Sequence, residues 1–541
     1  MEKKSKFKPQ GKARVQSKGA GYDRRNEKDK AKSTNCKDND PSWYLVNGQL
    51  AKDVANFSFN NALGDNISIT PGRVFDIGTT LVANSVRLPG IASVMVGPSV
   101  GPSLNETSPI NVASRNIYSF VRHANSGHAN YDPADLMIYL LAVDSVQSYW
   151  SWMVRIYGIS QTFSQRNRYI GDALLKAMGV DPANIRANIC ELRAFINQYA
   201  IKASVLAVPN TMSYYLRHAW MFQNVYTDED NPKAQLFLFN PAYLYSYSLN
   251  AGGVGELKPT PIAMTNSNNA FGSTASLTFT NIRDMGNSFI NAMLAQEDVG
   301  IMSGDILKAY GSDKLYRFNQ IAEEYAVIPT FSEEVLGQFH NLSVVGRYPC
   351  KSTTDGWVVN LSDALTISQD TGIGSGNLIF NPAFAACMDT SYTQIIDAWK
   401  NDVTPEDALV YSRLKSWTNP TGGKIIYNNV NYETTYAGTL SSSGSELVID
   451  VILYYYNPAG ALANRAVKPV ITSSAPDTVD TAILQYADKF NEFPILRAFN
   501  KLGSMTAMYG EISNYTVINE TELSAMHNAA LLSMFGVPYN W

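Results

Sequence analysis

The stretch that most restricts how this chain can fold is a helix with no side left for water. From Ala134 to Tyr157 the apolar residues Leu136, Ile138, Leu140, Leu141, Val143, Val146, Trp150 and Met153 fall all round a 3.6-residue spiral instead of along one stripe. Asp132 offers a capping carboxylate, Pro133 suits the first turn, and Gly158 is placed to end the helix. Such a helix has to be wrapped by the rest of the chain, so it is expected at the centre of a large fold. Asp144 cuts the longest apolar run, Leu136 to Val143, well short of the ~18 residues a membrane span needs, so no stable membrane insertion is expected.

Helical signals continue on either side. Asp181-Pro182 repeats the start signal ahead of Ile185, Ile189, Leu192, Phe195 and Ile196. Ile282, Met285, Phe289, Ile290, Met293 and Leu294 recur at helical spacing, Ser303 to Gly311 forms a shorter helix, and Thr330-x-x-Glu333 reads as a capping box. Up to about residue 340 the fold class is therefore mainly α-helical. Between 341 and 480 the texture turns to Thr, Ser, Gly, Asn and Tyr. There Lys424 to Tyr427, Asn428-Asn429 and Val430 to Tyr432 predict a hairpin, and Glu446 to Tyr456 a strand. A polar, turn-rich insert of this kind suits an outer surface. Asn519 with Glu522 opens a final helix to Phe535, which Gly536 and Pro538 stop.

The opposite extreme lies at the start. Residues 1–37 contain no Leu, Ile or Trp and hold thirteen Lys and Arg against four acids, a net of +9 in a chain whose total is −4, leaving −13 for the body. A segment so poor in apolar side chains cannot offset its ordering entropy and is expected to stay disordered until it meets RNA. Lys3, Lys4, Lys6, Lys8, Lys12, Arg14, Lys18, Arg24, Arg25, Lys28, Lys30 and Lys32 carry no aromatic array and no helical face, which suits sequence-independent neutralisation of phosphate. The body has the composition of a surface covered by neighbours. Only 17% of all residues are charged, and tyrosine occurs 31 times.

Catalytic motifs are formal matches in the wrong context. Gly97-Pro98-Ser99-Val100-Gly101 has the spelling of a nucleophile elbow, but Gly101-Pro102 interrupts where a helix must follow, so a buried turn is expected. His123 and His128 are five apart in a Gly/Asn/Ser segment read as a loop, a spacing no zinc site uses. Gly372-Ile373-Gly374-Ser375-Gly376 precedes a strand-like Asn377 to Phe380 instead of a helix, and Gly422-Gly423-Lys424 lacks the rest of a P-loop. Asp132 and Asp181 each have a sufficient role as helix caps. Cys36, Cys190, Cys350 and Cys387 are too dispersed for paired ligation, and with no hydrophobic leader before them they read as reduced cytosolic thiols. No cofactor, metal or catalytic residue is expected. An RNA-coating nucleoprotein in open assemblies, and an RNA-tethered hydrolase using Ser99 or the His123/His128 segment, are the competing readings.

Three strings point to a family. Asn39-Asp40-Pro41-Ser42-Trp43-Tyr44 with Asp53 and Phe57 or Phe59, Ser114 to His123 continuing through Tyr131-Asp132 and Asp135-Leu136-Met137 to Met153-Val154-Arg155, and Glu297-Asp298 with Ile301 to Gly311 resemble the picobirnavirus capsid proteins. The resemblance implies a mainly α-helical viral shell subunit with a projecting domain. On that division 1–37 is the RNA-interacting arm, 38–340 the helical shell domain, 341–480 the projecting, turn- and strand-rich insert, and 481–541 C-terminal shell helices. It also implies homodimers, about 60 of which close a T=1 icosahedral shell around segmented double-stranded RNA. A packaged viral polymerase would be a further partner, the virion the location, and the host cytoplasm the place of assembly. Some members of the family trim their own N-terminal segment, and no protease constellation for that is recognisable here.

Overall fold

A computed structural model describes residues 48–57, 66–69, 84–125, 127, 131–162, 170–230, 234–262, 271, 276–370, 376–385, 395–398, 400–421, 425–427, 430–432, 437–456, 462–466, 470–473, 496–500, 506–509 and 513–537. The apolar helix is its axis. It runs over Pro133–Ser160, and every residue from Leu136 to Ile159 is buried. Asp135 Oδ2 accepts from the Asp132 backbone N–H at 3.0 Å, and Pro133 occupies the first turn as read. Gly158, expected as the stop, is instead inside the helix. A Cβ there would lie 2.5 Å from Val327 Cγ2, and the Val327 N–H donates to the Gly158 carbonyl, so the glycine serves close passage of another segment.

Around this axis pack the helices Ile189–Ala203, Ser213–Gln223 and Phe279–Leu294. Asp181 caps as expected, accepting from the Ala183 and Asn184 N–H groups, but its helix is only Pro182–Ala187. The chain breaks at Asn188, whose side-chain amide donates back to the Asn184 carbonyl, and restarts at Ile189. The Phe279–Leu294 helix buries Ile282, Phe289, Ile290 and Met293 of the apolar face read from the sequence, while Met285 is half-buried and Leu294 exposed. The next helix begins earlier than Ser303, at Glu297, and ends at Tyr310 before Gly311 with φ +80°. Thr330 does not cap: it pairs with Tyr226 in a two-residue strand, and Ser332 accepts from the Val335 N–H to open Glu333–His340.

The larger correction concerns strands. Through the part read as helical runs Asn84–Pro98, with Leu236–Pro241 parallel on one side and Glu446–Tyr456 antiparallel on the other. Leu236–Pro241 is buried at every position, so it shows no period of two and resembles a helical apolar run. Tyr243–Leu249 and Gly255–Pro261 add a hairpin against the central helix. The described residues thus combine many helices with mixed sheets.

Within 341–480 the hairpin Ile425–Tyr427 with Val430–Tyr432 and the strand Glu446–Tyr456 are present as read. The hairpin joins a separate sheet with Pro349–Thr353, Gly356–Val359, Ala383–Ala385, Ser416–Thr421 and Ala437–Ser443, over a small core of its own around Cys350 and Ile425. Glu446–Tyr456 then returns to the central sheet. In the C-terminal segment read as helices, strands Leu496–Asn500, Thr506–Tyr509 and Asn514–Val517 come first, and Glu520–Met534 is the helix, with the Asn519/Glu522 capping box in place.

Candidate functional site

The twelve arm residues Lys3 to Lys32 lie outside the described residues. Ser99 is fully buried; its Oγ accepts from the Gly101 N–H at 3.1 Å and sits 3.1 Å from Ser443 Oγ. With Gly101 at φ +71° and no helix until Pro109, this is the expected turn and not an elbow. His123 is not in a loop: it is exposed on the last turn of the Pro109–Ala124 helix, while His128 lies outside the described residues. Gly376 is followed by the Leu378–Ile379 strand; Gly372 to Ser375 and Gly422 to Lys424 fall outside. Cys190 is an exposed free thiol, Cys350 is buried, Cys36 and Cys387 fall outside, and no group of three or more metal-ligating side chains occurs among the described residues.

What brings charged side chains together is a junction the sequence did not announce. Asp144, in the middle of the enclosed helix, meets His218 Nδ1 at 2.7 Å. His218 Nε2 lies 3.3 Å from Glu446 Oε1, at the start of the central strand Glu446–Tyr456. Arg217 grips both Glu446 oxygens, at 2.7 and 2.9 Å, and reaches Gln338. Ser445 donates to Glu446 and accepts from Arg413, which also touches Met534 of the C-terminal helix. Two carboxylates therefore tie the central helix, the Ser213–Gln223 helix, the central sheet and the C-terminal helix together.

Burial alone would lower the His218 pKa, but Asp144 and Glu446 outweigh it and push it up to about 9, so the ring is cationic at neutral pH. Burial would likewise raise Glu446, yet Arg217 and His218 hold it well below the usual carboxylate range. The one legible signal was Asp144, since a carboxylate in a wrapped helix requires a partner. None of its partners was legible.

Two more buried histidines each hold an outlying strand, His340 the Ile395–Ala398 strand and His527 the Ala437–Ser443 strand. His340 Nε2 meets Asp397 at 3.1 Å, and Asp397 accepts from the Ser513 N–H. His527 Nε2 faces the Ser412 carbonyl at 3.1 Å, so that nitrogen carries the proton, and Nδ1 accepts from the Ser442 hydroxyl at 2.9 Å. Both ring nitrogens are satisfied in the neutral form. Burial, reinforced by Arg413 and Lys415, pushes the His527 pKa down to about 4. An unfolded histidine near 6.5 takes up a proton that the folded one refuses, so His527 contributes stability above 6.5 that is lost as pH falls toward 4. The melting temperature of wild type minus that of His527→Gln is expected to shrink over that window. A difference flat from pH 7 to 4 would contradict it.

Beside Ser442 opens a cavity of about 220 Å³ lined by Asn105, Thr107, Ser108, Ser441, Ser524 and Asn528 among others. Its lining side chains are hydroxyls, amides and prolines, with no acid, base or metal ligand, so it can offer hydrogen bonds but no proton transfer. The groups of the buried junction act on each other.

Residues 43–396 match the sequence model described as picobirnavirus capsid protein. The chain belongs to the picobirnavirus capsid protein family. A capsid protein precursor of Human picobirnavirus (strain Human/Thailand/Hy005102/-) is 34% identical over 356 residues, 64% of this chain and 61% of that protein. The chain thus spans less than two thirds of that relative. The X-ray crystallographic structure of the picobirnavirus capsid superposes with a TM-score of 0.77 at 19% identity, covering 93% of this chain and 100% of that one, and so shares its fold. All of the strings that carried the resemblance from Trp43 onward lie within the stretch matching the picobirnavirus capsid model. The central helix, the Glu297–Tyr310 helix and Asp144 with His218 lie there too, whereas Glu446 and the C-terminal helix do not.

Proposed function

We propose that this chain is the shell subunit of a double-stranded RNA virus: copies assemble as dimers into a closed T=1 icosahedral particle around the genome. The observation that carries this reading is the match of residues 43–396 to the picobirnavirus capsid model, supported by the shared fold. The role is structural and not enzymatic. The body, 38–340 with the C-terminal 481–541, forms the shell layer, and the separate sheet within 341–480 supplies the outward projection. The arm, 1–37, contacts RNA phosphates without sequence preference, and the charge split of +9 against −13 supports that division of labour. The packaged polymerase is a further partner, the virion the location and the host cytoplasm the site of assembly.

Expression of the full chain tests this, read by electron microscopy and by nuclease-protected RNA. Closed particles are expected. Deleting residues 1–37 should leave assembly intact while protected RNA falls, and the RNA held by intact chains should be lost more readily as salt rises. Open filaments would favour a nucleoprotein, and a soluble monomer under every salt condition would overturn the shell reading.

A further inference from the structure

One helix face has no partner among the described residues and is built to meet its own copy. The Glu297–Tyr310 helix buries Val299, Met302, Ser303 and Ile306. The opposite side presents Glu297, Ile301, Gly304 and Lys308, all exposed, which at 100° per residue fall within an arc of about 60°. Ile301 is 36% exposed and the flanking Leu307 46%. A Cβ added at Gly300 or Gly304 would meet nothing within 4 Å. Glycine in a helix interior costs about 1 kcal/mol against alanine, and nothing inside the subunit requires it at either position.

The stripe is palindromic in chemistry. Run antiparallel against a second copy about a twofold axis, Glu297 faces Lys308 and Lys308 faces Glu297, while each Ile301 faces the gap at the other's Gly304. The same spacing satisfies charge and shape at once. Neither Glu297 nor Lys308 has an ion pair among the described residues. Apolar, glycine-lined ridges let two helices approach closely, and a twofold contact uses one patch twice.

We infer that the Glu297–Tyr310 helix is a homotypic contact between two copies of this chain, antiparallel about a twofold axis, with Ile301 seated over the partner copy's Gly304. This rests on the shell-forming reading above and gives it a surface. In the full-length chain, Glu297→Lys alone and Lys308→Glu alone each set like charges against each other twice, and each is expected to weaken dimerisation about tenfold or more by sedimentation. Mixing the two variants restores opposite charges at both positions, so dimers are expected to recover. Gly304→Trp, which fills space that is open in the subunit, should abolish the contact while circular dichroism stays unchanged. If wild type forms dimers and particles but the single variants do so equally well, or the mixture fails to recover them, this surface falls while the shell reading stands. A wild-type chain that never self-associates would instead bring down the shell reading on which it rests.

Discussion

Glu446→Ala is expected to cost about 3–5 kcal/mol of stability, because it strands the buried His218 and the partly buried Arg217 at once. Glu446 is 1% exposed; it accepts both arms of Arg217, the Ser445 hydroxyl and the approach of His218. With it gone, the Arg217 and His218 charges keep only Asp144, whose own carboxyl burial already pushes up. The cation that the two carboxylates maintain on His218 loses half its reason, and the ring is expected to titrate nearer the ordinary histidine range. Glu446→Gln keeps the shape and one acceptor oxygen but loses the charge and sets an NH2 donor against an Arg217 donor, so an intermediate loss is expected. Urea midpoints of the three proteins at pH 7 measure this. Equal midpoints for wild type and Glu446→Ala would mean that the junction carries no net stability.

Arg155→Ala is expected to have an effect of the same size, about 3–5 kcal/mol, for a different reason. Arg155 is fully buried on the central helix and has no carboxylate partner among the described residues. Its guanidinium donates instead to the Met221 and Asn224 carbonyls, at the end of the Ser213–Gln223 helix, and to the Phe239 carbonyl and Asn240 Oδ1 on the Leu236–Pro241 strand. The negative end of a helix dipole and a strand terminus together replace a counterion. Burial draws its pKa down to about 9, still high enough to keep the charge at neutral pH. Truncation leaves four acceptors without a donor in the core. Arg155→Lys is expected to recover only part of the loss, since one ammonium cannot reach acceptors on two elements the way a planar fork does. Full recovery by lysine would show that charge, and not fork geometry, holds the helix to the sheet.

The junction and the Arg155 fork mark where reading the chain stopped. Capping is local chemistry, so Asp132, Asp181 and Asn519 were legible as helix starts. Termination was less so. Gly158 looked like a stop because a glycine excluded by a neighbouring segment and a glycine ending a helix are the same letter. Thr330 and Ser332 both offered a hydroxyl near the same helix start, and strand pairing with Tyr226 took the first out of contention. Leu236–Pro241 went unread because a strand enclosed on both faces loses the alternation that identifies it.

By itself, then, the sequence determined that Ala134 to Tyr157 forms an enclosed helix, that +9 of charge is set apart in the first 37 residues, and that the chain carries the strings of a capsid family. Each follows from neighbours along the chain, where periodicity, composition and word identity reside. Only the tertiary structure decided that Asp144 is answered by His218 from 74 residues away, that Glu446 is gripped by an arginine 229 residues before it, and which side of Glu297–Tyr310 is left open. A buried charge must be paired, but which remote segment delivers the partner depends on how helices and sheet pack. That is fixed by contacts summed over the whole core.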